Sequence, residues 1–92
     1  MATFRRWRTS NDLEVTAQHF KGEWTITITN EAGEELNTLT DRETPTNDAV
    51  RIFLNDQGVH YFQDEKGGKE AISELLTFIK EVAKKEKYGN GY

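Results

Sequence analysis

The side chains best suited to catalysis are scarce in this chain. It holds two histidines, His19 and His60, and no cysteine. A thiolate nucleophile, a disulfide and a zinc–thiolate set are thereby excluded. A catalytic site needs a nucleophile beside a positioned base, a set of metal ligands, or paired carboxylates in a cleft. The chain contains no H-x-x-x-H, H-E-x-x-H or D-x-D-x-D-G pattern, and Gly67-Gly68 lacks the spacing of a phosphate-binding loop. Adjacent carboxylates occur at Glu34-Glu35 and Asp64-Glu65. Both pairs fall in segments that read as turns, where solvation explains them better than proton transfer does. The histidines fall in or near segments that read as strands, and a place on the strand surface accounts for each. The expectation is a protein that is not an enzyme, with no catalytic residue, no metal and no cofactor.

Binding chemistry is better represented. The segment FRRWR places Arg5, Arg6, Trp7 and Arg8 together near the start of the chain. Arginine pairs bidentately with phosphate or carboxylate, and tryptophan stacks on a base or on a guanidinium. Strand alternation would put Phe4, Arg6 and Arg8 on one face and Arg5 and Trp7 on the other. The more ordinary account is an edge strand whose aromatics join the core while its arginines block pairing with other chains. The two accounts are compatible. A second cluster is acidic: Glu31, Glu34 and Glu35, with Asp41 and Glu43 nearby. It suits docking on lysines or arginines that otherwise hold nucleic acid, and it also favours solubility. Thr25, Thr27 and Thr29 form a polar row, and Lys80, Lys84, Lys85 and Lys87 a basic end. A solvent-facing sheet and a solvated helix terminus explain these last two features without a partner.

Charge is distributed unevenly along the 92 residues. Residues 1–10 carry +3, residues 11–65 carry −9 and residues 66–92 carry +2, for a net charge of −4. A chain polarised in this way can meet a basic protein with one region and a phosphate backbone with another. Apolar residues make up 35%, enough for a modest core, and residues 1–92 are expected to form a single domain. No apolar run is long enough to span a membrane, and MATFRRWRTSNDLEV lacks the apolar stretch of a secretory signal. The expected location is cytoplasmic.

The elements that must position these residues follow from periodicity. Leu13 to Phe20 alternates, with Leu13, Val15 and Ala17 on one side. Glu23 to Thr29 alternates more clearly, with Trp24, Ile26 and Ile28 facing one way and the threonines the other. Lys21-Gly22 joins the two as a hairpin, Asn30 to Glu34 makes a second turn, and Glu35 to Thr40 is a weaker strand. Thr3 to Thr9 adds another strand at an edge. Pro45 breaks the pattern. A short helix follows, with Thr46 or Asn47 as its cap, apolar residues at Ala49, Val50, Phe53 and Leu54, and Gly58 at its end. Val59 to Gln63 reads as a short strand ended by Lys66-Gly67-Gly68. Lys69 to Lys87 is the surest helix, with an apolar stripe of Ile72, Leu75, Leu76, Ile79, Val82 and Ala83. Tyr88 to Tyr92 reads as a tail. The fold class is α+β: a small antiparallel sheet of three or four strands with a long C-terminal helix and a short middle helix packed on it.

Taken over its whole length, from MATFRRWRTS to KYGNGY, the chain resembles the phage-encoded anti-CRISPR proteins that inhibit the type I-F (Csy) surveillance complex. Its size, acidity, missing cysteines and meander-plus-helix organisation carry the resemblance, which rests on no shared motif. The resemblance implies a protein that binds the guide-loaded complex and stops target DNA from hybridising with the guide. Its implied partners are the Cas7 backbone, Cas5 and Cas8, with guide RNA within reach. No functional residue transfers by motif, so Arg5, Arg6, Trp7, Arg8, Glu31, Glu34 and Glu35 stand as the partner-binding candidates on their own chemistry. Two other readings compete: a small single-stranded nucleic-acid-binding module using FRRWR and the sheet, and a protein-interaction adaptor.

Overall fold

The computed structural model describes residues 3–63 and 68–89, with side chains as far as Lys85. Its first half is a meander of four strands: β1 (Thr3–Arg8), β2 (Glu14–Phe20), β3 (Glu23–Thr29) and β4 (Glu35–Asp41). Each pairs antiparallel with its sequence neighbour, giving the order β1-β2-β3-β4. The two weaker strands thus form the two edges. Lys21 and Gly22 connect β2 to β3 with φ of 52° and 76°. Positive φ at both positions gives the hairpin turn whose twist matches that of the flanking strands. Gly22 adopts it freely, whereas Lys21 does so at a cost of about 1 kcal/mol.

The other two connections are held by side chains. Thr9 is fully buried in the β1–β2 loop. Its hydroxyl donates to Asn11 Oδ1 at 2.6 Å and accepts from the Leu13 N–H at 2.9 Å. In the β3–β4 turn, Asn30 accepts from the Glu34 N–H at 2.9 Å and donates its amide to Glu34 Oε1 at 3.1 Å. Immediately after that turn the register slips. Ile28 faces Asn37 but Thr29 faces Glu35, so Leu36 is an extra residue that bulges the edge strand.

The second half covers one face of the sheet. Helix α1 (Asn47–Asp56) is capped by Thr46, whose hydroxyl accepts from the Ala49 N–H at 3.1 Å. Gly58, at φ 67°, turns the chain out of it. A two-stranded sheet follows, β5 (Tyr61–Phe62) with β6 (Lys69–Glu70), and then helix α2 (Ala71–Gly89). Periodicity had placed Lys69 and Glu70 in the helix. They pair instead with Phe62 and Tyr61, and the helix starts at Ala71, whose N–H donates to the His60 carbonyl at 2.9 Å. At its far end the helical backbone runs to Gly89, past the start of the expected tail. One terminal glycine costs a helix only about 1 kcal/mol. Asp64, Glu65, Lys66 and Gly67, and the side chain of Lys87, lie outside the described residues. The class is α+β, as expected, and no helix among the described residues is long and apolar enough to cross a membrane.

The core lies between the inner face of the sheet and the helices. Val15 and Ala17 of β2, Trp24, Ile26 and Ile28 of β3, Val50, Phe53 and Leu54 of α1, and Leu75, Ile79 and Val82 of α2 belong to one buried cluster. Ile72, Leu76 and Ala83 pack at its margin, and Phe78, outside the apolar stripe read from the sequence, is buried within it. His19 corrects an expectation. It is 6% exposed rather than on the strand surface, with its ring 4.4 Å from that of Trp24. Parity explains this, since His19 continues the inward alternation of Val15 and Ala17. His60 is exposed, just ahead of β5.

Phe62 is 2% exposed and is the point where the small sheet enters the core. Phe62→Ala should lower unfolding free energy by about 3–5 kcal/mol, read as a lower urea midpoint. Thr46→Ala, which removes the cap of α1, should lower it by about 1 kcal/mol.

Candidate binding face of the sheet

The arginine-rich strand divides its residues as alternation requires. Arg5 and Trp7 lie opposite Ala17 and Val15, on the inner face, and Phe4, Arg6 and Arg8 lie on the outer one. The Trp7 ring is stacked on Phe62 with centroids 5.0 Å apart and planes 11° apart. It meets Phe78 edge-on at 5.6 Å. The Arg5 guanidinium lies 5.3 Å from the Trp7 ring centre. The tryptophan is therefore held by the core and covered by arginine. Its Nε1 is buried with no hydrogen-bond partner among the described residues.

Strand register sets out the outer face in rows. Phe4, Gln18, Thr25 and Thr40 form one, Arg6, Thr16, Thr27 and Thr38 the next, and Arg8, Glu14, Thr29 and Glu35 the third. All of these residues are exposed or half-buried, so this face is open. The threonine row expected on β3 extends onto β2 and β4. Arg6 Nε lies 3.5 Å from Glu14 Oε1, with the two side chains 61% and 33% exposed. Solvent screening at such exposure leaves that pair worth under about 1 kcal/mol.

Acidic and basic candidates come to different parts of this face. Glu35 and Arg8 occupy opposite edges of one row, about 14 Å apart at the usual strand spacing. Glu31 and Glu34 extend the acidic side into the β3–β4 turn, and all three glutamates are exposed. That turn lies beside the β1–β2 loop: Asp12, Asn30 and Glu31 line the same shallow depression. One end of the sheet is thus acidic, with Arg8 at its corner.

The opposite end has a different character. Phe4 and Phe20 are 52% and 42% exposed on the open face. The Arg6 guanidinium lies 5.7 Å from the Phe4 ring centre, and the Lys21 ammonium 5.3 Å from that of Phe20. Phe20, Lys21, Glu23 and Arg42 line a shallow concavity. Sequence reading missed this corner because its members come from three separate segments. The outward parity of Phe20 in β2 was the available signal.

A cleft of about 460 Å³ opens between α1, β5–β6 and the start of α2, with His60 and Glu70 on its wall. Its charged groups are engaged locally: Arg51 pairs with Asp48 at 2.9 Å, and Glu70 accepts from the Ser73 hydroxyl at 3.2 Å. Among the described residues no group of His, Asp and Glu is arranged to hold a metal ion.

No protein-family model matches the chain, and no curated protein or solved structure is detectably similar to it.

Core and surface roles within β1 separate in stability measurements. Arg6→Glu combined with Arg8→Glu should shift unfolding free energy by less than about 1 kcal/mol, whereas Trp7→Ala should lower it by about 3 kcal/mol or more. Trp7→Phe should cost much less than Trp7→Ala, because it keeps the ring contacts and removes an N–H that has no partner.

Proposed function

We propose that this chain is a non-enzymatic inhibitor that binds a crRNA-guided type I-F CRISPR complex in the cytoplasm of a host bacterium. Bound there, it keeps target DNA from hybridising with the guide. The observation that carries this reading is the division of the open sheet face into an acidic end at Glu31, Glu34 and Glu35 and a basic strand at β1. Effector complexes of this kind hold nucleic acid in positively charged channels. An acidic surface is drawn to such a channel and occupies the lysines and arginines that DNA phosphates would use. The Cas7 backbone, with Cas5 and Cas8, would supply that surface, and Arg6 and Arg8, on the open face of β1, would face the guide RNA. The whole-chain resemblance described above supports the same assignment.

Order of addition tests the proposal. Protein added to purified guide-loaded complex before target DNA should abolish DNA binding, and protein added afterwards should displace little. Lysine substitutions at Glu31, Glu34 and Glu35 together should weaken inhibition by tenfold or more, since each replaces attraction with like-charge repulsion. Glutamate substitutions at Arg6 and Arg8 should weaken it as well, whereas Arg5, which covers Trp7 on the inner face, should act through the packing of β1. Unchanged DNA binding by the complex in the presence of excess protein would overturn the assignment.

A further inference from the structure

A single exposed phenylalanine on a small protein needs no explanation. Two of them, diagonal to each other and set among the polar side chains of Gln18, Thr16, Thr25 and Thr27, do. Phe4 lies opposite Gln18, and Phe20 is the next outward residue of β2 beyond Gln18, which places the pair about 7–8 Å apart. Neither ring serves the core, which is filled from the inner face. Each carries a cation at its ring: Arg6 at Phe4 and Lys21 at Phe20. The turn that sets Lys21 there uses a left-handed backbone conformation, φ 52°. Arg42 adds a third cation beside Phe20, with Glu23 as the acid in the same concavity. In a chain of net charge −4, this concavity is lined by two cations, Lys21 and Arg42, and one acid, with Asp41 and Glu43 flanking Arg42 in the chain.

From this arrangement we infer that Phe4 and Phe20 form a stacking platform for single-stranded RNA. Two bases lie on the two rings, displacing Arg6 and Lys21 from over them, and these cations with Arg42 meet the phosphates between and beside the bases. Four-stranded sheets that bind RNA work in this way, stacking two or three bases on aromatics of the open face. The paired cations argue for nucleic acid over an apolar protein patch. A protein partner packing on the rings would desolvate the guanidinium and the ammonium, whereas a nucleotide offers a π-face to the ring and a phosphate to the cation. The neighbours Gln18, Thr25, Thr16 and Thr27 supply both donors and acceptors, which suits a 2′-hydroxyl and selects RNA over DNA. The inference uses the open face but does not depend on the CRISPR assignment.

The test is fluorescence anisotropy of the isolated protein with a labelled single-stranded RNA of about 12 nucleotides. Binding should weaken steeply as salt rises. Phe4→Ala and Phe20→Ala should each weaken it by about fivefold to 100-fold, with melting temperatures near that of the parent because both side chains are exposed. Phe20→Tyr, which keeps an aromatic face, should bind like the parent, and Phe20→Leu should bind like Phe20→Ala. DNA of the same sequence should bind more weakly. No binding at low salt, alanine variants that bind like the parent, or equal affinity for DNA would each overturn the inference. Because no Cas protein is present, this result and that of the order-of-addition assay fail independently.

Discussion

Trp7 is where three separate parts of the molecule meet. Its ring lies flat against Phe62 of β5 and takes the edge contact of Phe78 of α2 while its backbone belongs to β1. An edge strand with three arginines among its six residues repels itself electrostatically, and a ladder to β2 alone would hold it weakly. Burying one large aromatic from its inner face offsets that repulsion and fixes the plane of the strand. The Arg5 guanidinium then lies over the same ring, so part of the charge is folded back onto the contact that retains it.

Given that anchor, parity distributes the remaining chemistry. Once Trp7 points inward, Phe4, Arg6 and Arg8 must point outward, and the register carries the same choice across all four strands. The inner face spends its residues on packing against α1 and α2. The outer face keeps hydroxyls in the middle, acids at the end marked by Asn30 and Glu34, and aromatics with cations at the end marked by the Lys21 turn. These groupings are a by-product of a two-faced sheet covered on one side only, and no cleft is needed to assemble them.

Much of this was legible in the sequence, for reasons that particular residues make clear. The alternation of Trp24, Ile26 and Ile28 against three threonines can only be a half-buried strand, and the Lys21-Gly22 dipeptide places its hairpin. The apolar stripe of α2 was equally plain, although it omitted Phe78, which falls three residues after Leu75 and four before Val82, fits the same spacing and is buried. His19 was misjudged on chemistry when parity already put it inside. Lys69 and Glu70 match a helical pattern as well as a strand, and only pairing with Tyr61 and Phe62, a tertiary contact, decides between them. The Phe4–Phe20 corner was half legible: strand parity turns each ring outward, but no local pattern reports that two segments share a face.

The bridge between Thr9 and Phe62 bears on the order in which the chain folds. The three ladders of the sheet each close over one short turn, whereas this bridge spans most of the chain. Loop-closure entropy therefore favours the meander as the early structure and the docking of β5 as a late one. During synthesis the residues up to Asp41 leave the ribosome before the helices that cover them exist. For that interval Val15, Trp24, Ile26 and Ile28 form one wet, apolar side of a nascent sheet, the kind of surface that recruits chaperones or aggregates. Residues 1–41 hold seven acids against four bases, and that excess negative charge opposes association of the half-sheet until Phe62 arrives.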